Sequence, residues 1–215
     1  MKKIKIALVG QPNVGKSMLI NSISNAHLHV GNFTGVTVEK TEVSFSYNDY
    51  DIQIVDLPGT YMLSEYSIEE RVTTNFLCEE DYDLIVNVVD STNLLRNLQL
   101  TSELLNMNKK IVIALNMSDE AKKEGIHIDE KLFSTLLGVD AVKVSAATKE
   151  GIQTLINTII RCFENPFVDS KLIFSEPIEE EIENIITCLE NHHFKASNSY
   201  RRIAINLLQN NEKTY

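Results

Sequence analysis

No apolar run in this chain approaches the length of a membrane-spanning helix. The longest, Leu84 to Val89 and Ile111 to Leu115, fall far short of the roughly 20 residues required. Cysteine is scarce as well. Cys78, Cys162 and Cys188 are odd in number, far apart and without C-x-x-C spacing, so a disulfide framework is excluded and a metal role disfavoured. They read as reduced, mostly buried thiols of a cytosolic protein. Positive charge is short too: 20 Lys and Arg face 30 Asp and Glu, a net charge of −10. A wide basic surface is therefore missing, and nucleic acid is not an expected partner, because such binding rests on neutralising phosphates. Repeats and low-complexity segments are absent. Met1-Lys-Lys runs straight into a strand pattern, so no signal peptide is expected. What remains, 215 residues that are 43% hydrophobic, suits one α/β domain with a short appendage and a core large enough to need no staples.

The most informative segment comes directly after the apolar run Ile4, Ile6, Ala7, Leu8, Val9. Gly10, Gln11, Pro12, Asn13, Val14, Gly15, Lys16 and Ser17 form a phosphate-binding P-loop between a strand and a helix-forming run. Two glycines five apart let the backbone fold around a phosphate with its N–H groups inward. Lys16 adds a point charge at the terminal phosphates, and the Ser17 hydroxyl can ligate Mg²⁺.

Four polar stations follow later apolar runs. Asp56 opens Asp-Leu-Pro-Gly, Asp90 follows the run from Leu84, Asn116 opens Asn-Met-Ser-Asp, and Ser145 opens Ser-Ala-Ala. In a doubly wound sheet the carboxyl ends of parallel strands share one rim, where ligands bind. Asp56 can contact Mg²⁺ directly or through water, and Gly59 lets a backbone N–H approach the γ-phosphate. Asp119 offers two acceptor oxygens matched to the N1–H and N2 amino donors of guanine, which adenine lacks. Asn116, with Met117 beside it, can brace the neighbouring loops. From the loop Ser145, Ala146 and Ala147, the Ala146 N–H can donate to the guanine carbonyl. Asp90 shares the rim without an assigned role.

In this order the motifs resemble those of small GTPases of the TrmE–Era-like class. Two further strings, VGNFTGVTVE at 30–39 and DLPGTYML at 56–63, resemble the switch regions of the ferrous iron transport protein B family, FeoB. The resemblance is strong over about residues 1–165 and weak beyond. Phe33 stands where that family more often has tryptophan, and Met62 where serine is usual. Ser118 replaces the lysine that many GTPases place before the base-reading aspartate, which suggests looser binding without loss of guanine selectivity.

The resemblance implies a Mg²⁺-dependent GTPase, with GTP and GDP as ligands, acting as the cytosolic switch module of a bacterial ferrous iron transporter. Mg²⁺ would be held by Ser17, Asp56 and Thr37, the last delivered by a first switch loop that also carries Gly35. Hydrolysis should be slow, because Thr60 follows Gly59 where small GTPases often carry a water-positioning glutamine. The resemblance also implies K⁺ stimulation, with the ion held by the Asn13 side chain and the carbonyls of Gly31 and Phe33. Lys16, Asn13, Thr37, Gly59 and Thr60 make up the expected catalytic set. Expected partners are a membrane-spanning iron-transport domain of the same full-length protein and small Feo proteins, with a homo-oligomer left open. The module would then sit on the cytoplasmic face of the inner membrane, as a truncated part of a larger protein. The alternative, a free-standing Era/TrmE-type GTPase acting on ribosome or tRNA, is disfavoured by the acidic charge.

The expected fold is α/β: a P-loop GTPase with a six-stranded, mostly parallel sheet and helices on both faces, over 1–165. Strand patterns lie near 3–9, 41–47, 51–56, 83–89, 110–115 and 141–145, with an Asn48-Asp49 hairpin making one edge antiparallel. The stretch His27 to Lys40 carries no strong helix or strand pattern. A helical appendage over 166–215 is expected after Pro166. It comprises a helix opened by Pro177, with Ile178, Ile182, Ile185, Ile186 and Leu189 on one face, and a second with Tyr200, Ile203, Ala204, Leu207 and Leu208. Each stripe must pack on the other helix, on the GTPase domain or on something else.

Overall fold

The fold was analysed in a computed structural model, which describes residues 1–23, 27–33, 36–63, 66–107, 109–166, 174–194 and 200–208. Gly35 lies outside the described residues. A seven-stranded sheet forms the centre, in the order β2 (His27–Asn32), β3 (Glu39–Tyr47), β4 (Tyr50–Asp56), β1 (Lys2–Gly10), β5 (Leu84–Asp90), β6 (Ile111–Asn116), β7 (Asp140–Lys143). From β4 through β1 to β7 every neighbouring pair is parallel, whereas β2–β3 and β3–β4 are antiparallel. The expected hairpin is present, with Asn48 in the left-handed region at φ 51° and Tyr47 paired to Tyr50.

The strand count corrects the expectation of six. The first six residues of the stretch read as patternless pair residue for residue with β3, from His27 opposite Ser44 to Asn32 opposite Glu39. As an edge strand it leaves His27, His29, Val30, Gly31 and Asn32 exposed. Burial therefore writes no alternation into its sequence, and alternation is the signal by which strands are found.

Successive residues along β1 point to opposite layers. Ile4, Ile6 and Leu8 join one core cluster with Leu19 and Ile20 of α1 (Lys16–Ser22) and with Ile152, Leu155, Ile156 and Ile159 of α6 (Ile152–Glu164). Ala7 and Val9 face the other layer, with Val72 and Phe76 of α2 (Ile68–Glu79) and Leu100 and Leu104 of α3 (Leu94–Leu105). Two further helices, α4 (Ser118–Lys123) and α5 (Glu130–Leu137), connect β6 to β7. Helices thus cover both faces, and the carboxyl ends of the five parallel strands share one rim.

After α6, helices α7 (Glu176–Asn191) and α8 (Tyr200–Leu208) bury their stripes on each other through Ile182, Ala204 and Ile205, with Phe174, Ile185 and Ile186 beside them. Of the three ways those stripes could be covered, the structure uses mutual packing. A bidentate ion pair, Arg201 to Glu179 at 2.7 and 2.8 Å, ties the helices together. No helix among the described residues is long and apolar enough to cross a membrane. None of the three cysteines is in a disulfide; Cys78 and Cys162 are half-buried, and Cys188 is exposed, contrary to the expectation of mostly buried thiols.

Candidate functional site

Every station lies on the carboxyl rim. The P-loop turns on two left-handed residues, Asn13 at φ 67° and Gly15 at φ 85°, the second also the N-cap of α1. A Cβ on Gly15 would sit 2.5 Å from Asn116 Nδ2, so glycine is required there for space as well as for φ. The Gln11 side chain is buried and does not face the loop mouth; its amide donates to the Arg96 carbonyl of α3 at 2.6 Å. Asn13 and Ser17 are exposed at the mouth. The start of α1 presents free backbone N–H groups and the positive end of a dipole, the ordinary setting for a phosphate.

Asn116 links the two halves of the rim. It is 2% exposed, donates through Nδ2 to the Val14 carbonyl at 2.8 Å, and accepts the Ala146 N–H on Oδ1 at 3.1 Å. The bracing role expected of it is what the geometry shows. In this conformation the Ala146 N–H, expected to face a base carbonyl, is engaged by Asn116. Among the described residues the next N–H, of exposed Ala147, has no hydrogen-bond partner, and it is the donor left for a base carbonyl. Met117 takes φ 58° as the N-cap of α4, a turn that places Asp119 in the first turn of the helix. The Ser145 hydroxyl and then the Lys123 ammonium, 3.3 Å away, hold the Asp119 carboxyl below the usual range. Asp119 is therefore an ionised, acceptor-only group, the form that suits two N–H donors. Asp90 faces elsewhere, accepting from the N–H and hydroxyl of Thr92 at 2.8 and 2.7 Å. It caps a local turn.

The phosphate end is electrostatically unfinished. Lys16 Nζ lies 3.7 Å from Asp56 Oδ1, an ion pair at more than hydrogen-bond length, and that buried oxygen has no hydrogen-bond partner. Burial pushes the Lys16 ammonium down and the Asp56 carboxyl up, each partly offset by the other's charge. Each is thus a buried charge short of counter-charge, at a site where a phosphate would suit one and a divalent cation the other. Gly59 approaches the P-loop so closely that a Cβ would sit 3.0 Å from Pro12 Cα, and the Thr60 N–H donates to the Gly10 carbonyl at 3.2 Å. The Thr60 hydroxyl is buried and donates to the Met62 carbonyl at 2.5 Å, so it shapes the loop and does not reach outward.

The first switch region is not gathered to this site. Thr37 is exposed and lines a groove against α2 with Phe33, Val36, Lys40 and Arg71, without a hydrogen bond to Ser17 or Asp56. Gly31 is held opposite Lys40 in the β2–β3 ladder. The Phe33 carbonyl accepts the Val36 N–H at 3.3 Å. The three residues expected to hold K⁺ therefore do not converge in this conformation.

Sequence reasoning missed the part played by α3. Besides holding Gln11, Arg96 places its guanidinium 4.6 Å from the Tyr61 ring centroid, and Glu103 accepts the Leu63 N–H at 2.6 Å. No motif marks such contacts. The Asp119–Lys123 pair was findable, because the two are four apart on a helix.

A family model described as Ferrous iron transport protein B matches residues 4–159. The chain belongs to this family. It is 52% identical over 183 residues to the Fe(2+) transporter FeoB of Campylobacter jejuni, an alignment covering 85% of this chain and 30% of that one. It is 41% identical over 215 residues to an Fe(2+) transport protein A/FeoB fusion protein of Porphyromonas gingivalis, covering 98% of this chain and 26% of the fusion. The chain thus spans less than a third of the length of these FeoB relatives. Among solved structures, the cytosolic domain of T. maritima FeoB in a GDP form superposes with a TM-score of 0.92 at 36% identity, covering 99% of this chain and 84% of that one. The architecture is accordingly that of the FeoB GTPase-fold domain followed by a helical module.

Proposed function

We propose that this chain is the GTP-binding and GTP-hydrolysing switch module of a ferrous iron transporter, with residues 1–165 as the GTPase domain and 166–215 as a helical appendage. The observation that carries the reading is Asn116. By bonding both Val14 and Ala146 it ties the Gly10–Ser17 loop to the Ser145–Ala147 loop on one rim, which supports a single nucleotide site with Asp119 at its base end.

Guanine would be read by the ionised Asp119, with the Ala147 N–H on the base carbonyl. Gly10 to Ser17 would wrap the phosphates with backbone N–H groups, and Lys16 would exchange Asp56 for the β- and γ-phosphate oxygens. A water attacks the γ-phosphorus, its bond to the β–γ bridging oxygen breaks, and GDP leaves with that electron pair. The chain's contribution is charge and position: Lys16 and the loop amides face the developing negative charge, and the Gly59 N–H orients the γ-phosphate. Thr60 offers no group that positions the attacking water, so unassisted turnover should be slow.

The buried, unpartnered Asp56 oxygen fits a cation site. Ser17 and Asp56 would hold Mg²⁺, joined by Thr37 once the first switch region turns toward the nucleotide. Mg²⁺ supplies charge neutralisation across the phosphate oxygens. K⁺ is a weaker fit. The Asn13 side chain makes no hydrogen bond among the described residues and is ready to ligate, but the Gly31 and Phe33 carbonyls are engaged elsewhere.

Loss of the γ-phosphate would remove what orders both switches and turn hydrolysis into a change of shape. The readout would be a membrane-spanning iron-transport part of the same full-length protein, placing this module on the cytoplasmic side. The fusion relative from P. gingivalis supports a small Feo partner. Phosphate release from GTP, with ATP and Lys16→Ala as controls, tests the activity. GTP turnover with ATP and the variant near background is expected; equal turnover of ATP, or an unaffected variant, would overturn it.

A further inference from the structure

One side chain of the first switch region is seated against α2. Phe33 is only 9% exposed although it directly follows an exposed edge strand. Its ring meets the edge of Phe76 on α2, with centroids 6.2 Å apart and planes at 83°. Tyr82 stacks on Phe76 at 6.0 Å and 19°, and its hydroxyl donates to the Leu77 carbonyl at the end of α2. The Phe33 seat is therefore braced and not a chance surface contact. Next to the ring the two elements stand apart. A cavity of about 630 Å³, lined by Thr37, Lys40, Arg71 and Asn75 among others, separates them. Val36 and Val38 pack against the same cluster only in part. Among the described residues, the Phe33 ring is thus the most deeply buried contact between the switch and α2.

The backbone of the same residue is engaged as well. Its N–H donates to the Val38 carbonyl at 3.0 Å and its carbonyl accepts from Val36. While the ring is seated, neither Thr37 nor the Phe33 carbonyl is available to the rim, where the γ-phosphate would lie.

We infer that Phe33 is a positioning residue that latches the first switch region to α2, and that triphosphate binding must withdraw its ring. This rests on the GTP-switch reading above. Seating the ring and moving Thr37 to the rim are mutually exclusive, so the latch sets the equilibrium between resting and triphosphate-engaged states. Its strength follows from burying one phenyl ring with an edge contact, which favours the resting state by about 10- to 100-fold. A diphosphate makes no use of Thr37, so GDP affinity should not feel the latch. A triphosphate binds more weakly by the fraction of molecules unlatched.

The chain contains no tryptophan, so Phe33→Trp introduces a single fluorescent reporter at the latch. Quenching by acrylamide is measured without nucleotide, with GDP, and with a non-hydrolysable GTP analogue plus Mg²⁺. Binding is followed separately by displacement of a fluorescent GDP. The expected result is a protected indole without nucleotide and with GDP, and an accessible one with the analogue. Phe33→Ala and Phe76→Leu, in the otherwise unchanged chain, should tighten the analogue by about 10-fold or more and leave GDP within 2-fold. A general loss of fold would weaken both nucleotides together. Bound analogue with an indole as protected as in the GDP state, or latch variants that leave the analogue-to-GDP affinity ratio unchanged, would overturn the latch alone. Failure of the wild-type chain to bind the analogue at all would overturn the GTP-switch reading and the latch with it.

Discussion

Replacing Asn116 with alanine should damage the fold and the site together. Its amide is buried and makes two hydrogen bonds of ordinary length, 2.8 Å to the Val14 carbonyl and 3.1 Å from the Ala146 N–H. Alanine leaves both backbone groups buried and unpaired. Each such loss costs about 1–3 kcal/mol, so a total of about 2–6 kcal/mol is expected. For a chain of this size each kcal/mol moves the melting temperature by about 2–4 °C, which gives a fall of about 4–24 °C. The same change frees the P-loop from the Ser145–Ala147 loop, and GDP release should accelerate by about 10-fold or more. Asn116→Asp separates the two bonds. It keeps an acceptor for Ala146 but turns a carboxylate oxygen toward the Val14 carbonyl, so it should be destabilising as well. The assays are thermal melting without nucleotide and stopped-flow release of fluorescent GDP. A melting temperature within about 2 °C of wild type, with unchanged release, would refute the claim that Asn116 joins the two halves of the rim.

Gly59→Ala should slow GTP turnover at least about 10-fold with little effect on GDP binding, because the new methyl would lie 3.0 Å from Pro12 backbone and push the second switch off the P-loop; steady-state phosphate release at saturating GTP checks it. Potassium should raise single-turnover hydrolysis about 10-fold over sodium at matched ionic strength, less than the ~10³–10⁵ of a protein arginine, and Asn13→Ala should abolish the difference. Identical rates in the two salts would remove the ion.

Sequence motifs located the rim because its chemistry is local: a P-loop, Asp56, Asn116 and Asp119 each need particular residue types at the end of a strand. The helix stripes were legible for the same reason, since burial of Ile152 to Ile159 writes its period into the sequence. What escaped was tertiary. The strand His27–Asn32 sits at an exposed edge, so pairing holds it without a burial pattern. The Ala146 N–H looked available until Asn116 was seen to take it. Arg96 meets both Gln11 and Tyr61 only because α3 lies beside the P-loop, and nothing in its neighbours along the chain announces that. Thr37 lies between β2 and β3, and its place in the groove against α2, beside the Phe33–Phe76 contact, is not written in the residues around it.

The central claim is that this rim reads guanine through Asp119, and competition for a fluorescent GDP tests it most directly. GTP and GDP should displace the probe at least about 100-fold more effectively than ATP, because adenine leaves the carboxylate unpaired. Asp119→Asn should reverse the preference toward xanthine nucleotides, whose carbonyl replaces the amino group. Equal displacement by ATP and GTP in the wild-type chain, or an Asp119→Asn variant that still prefers guanine, would contradict the account.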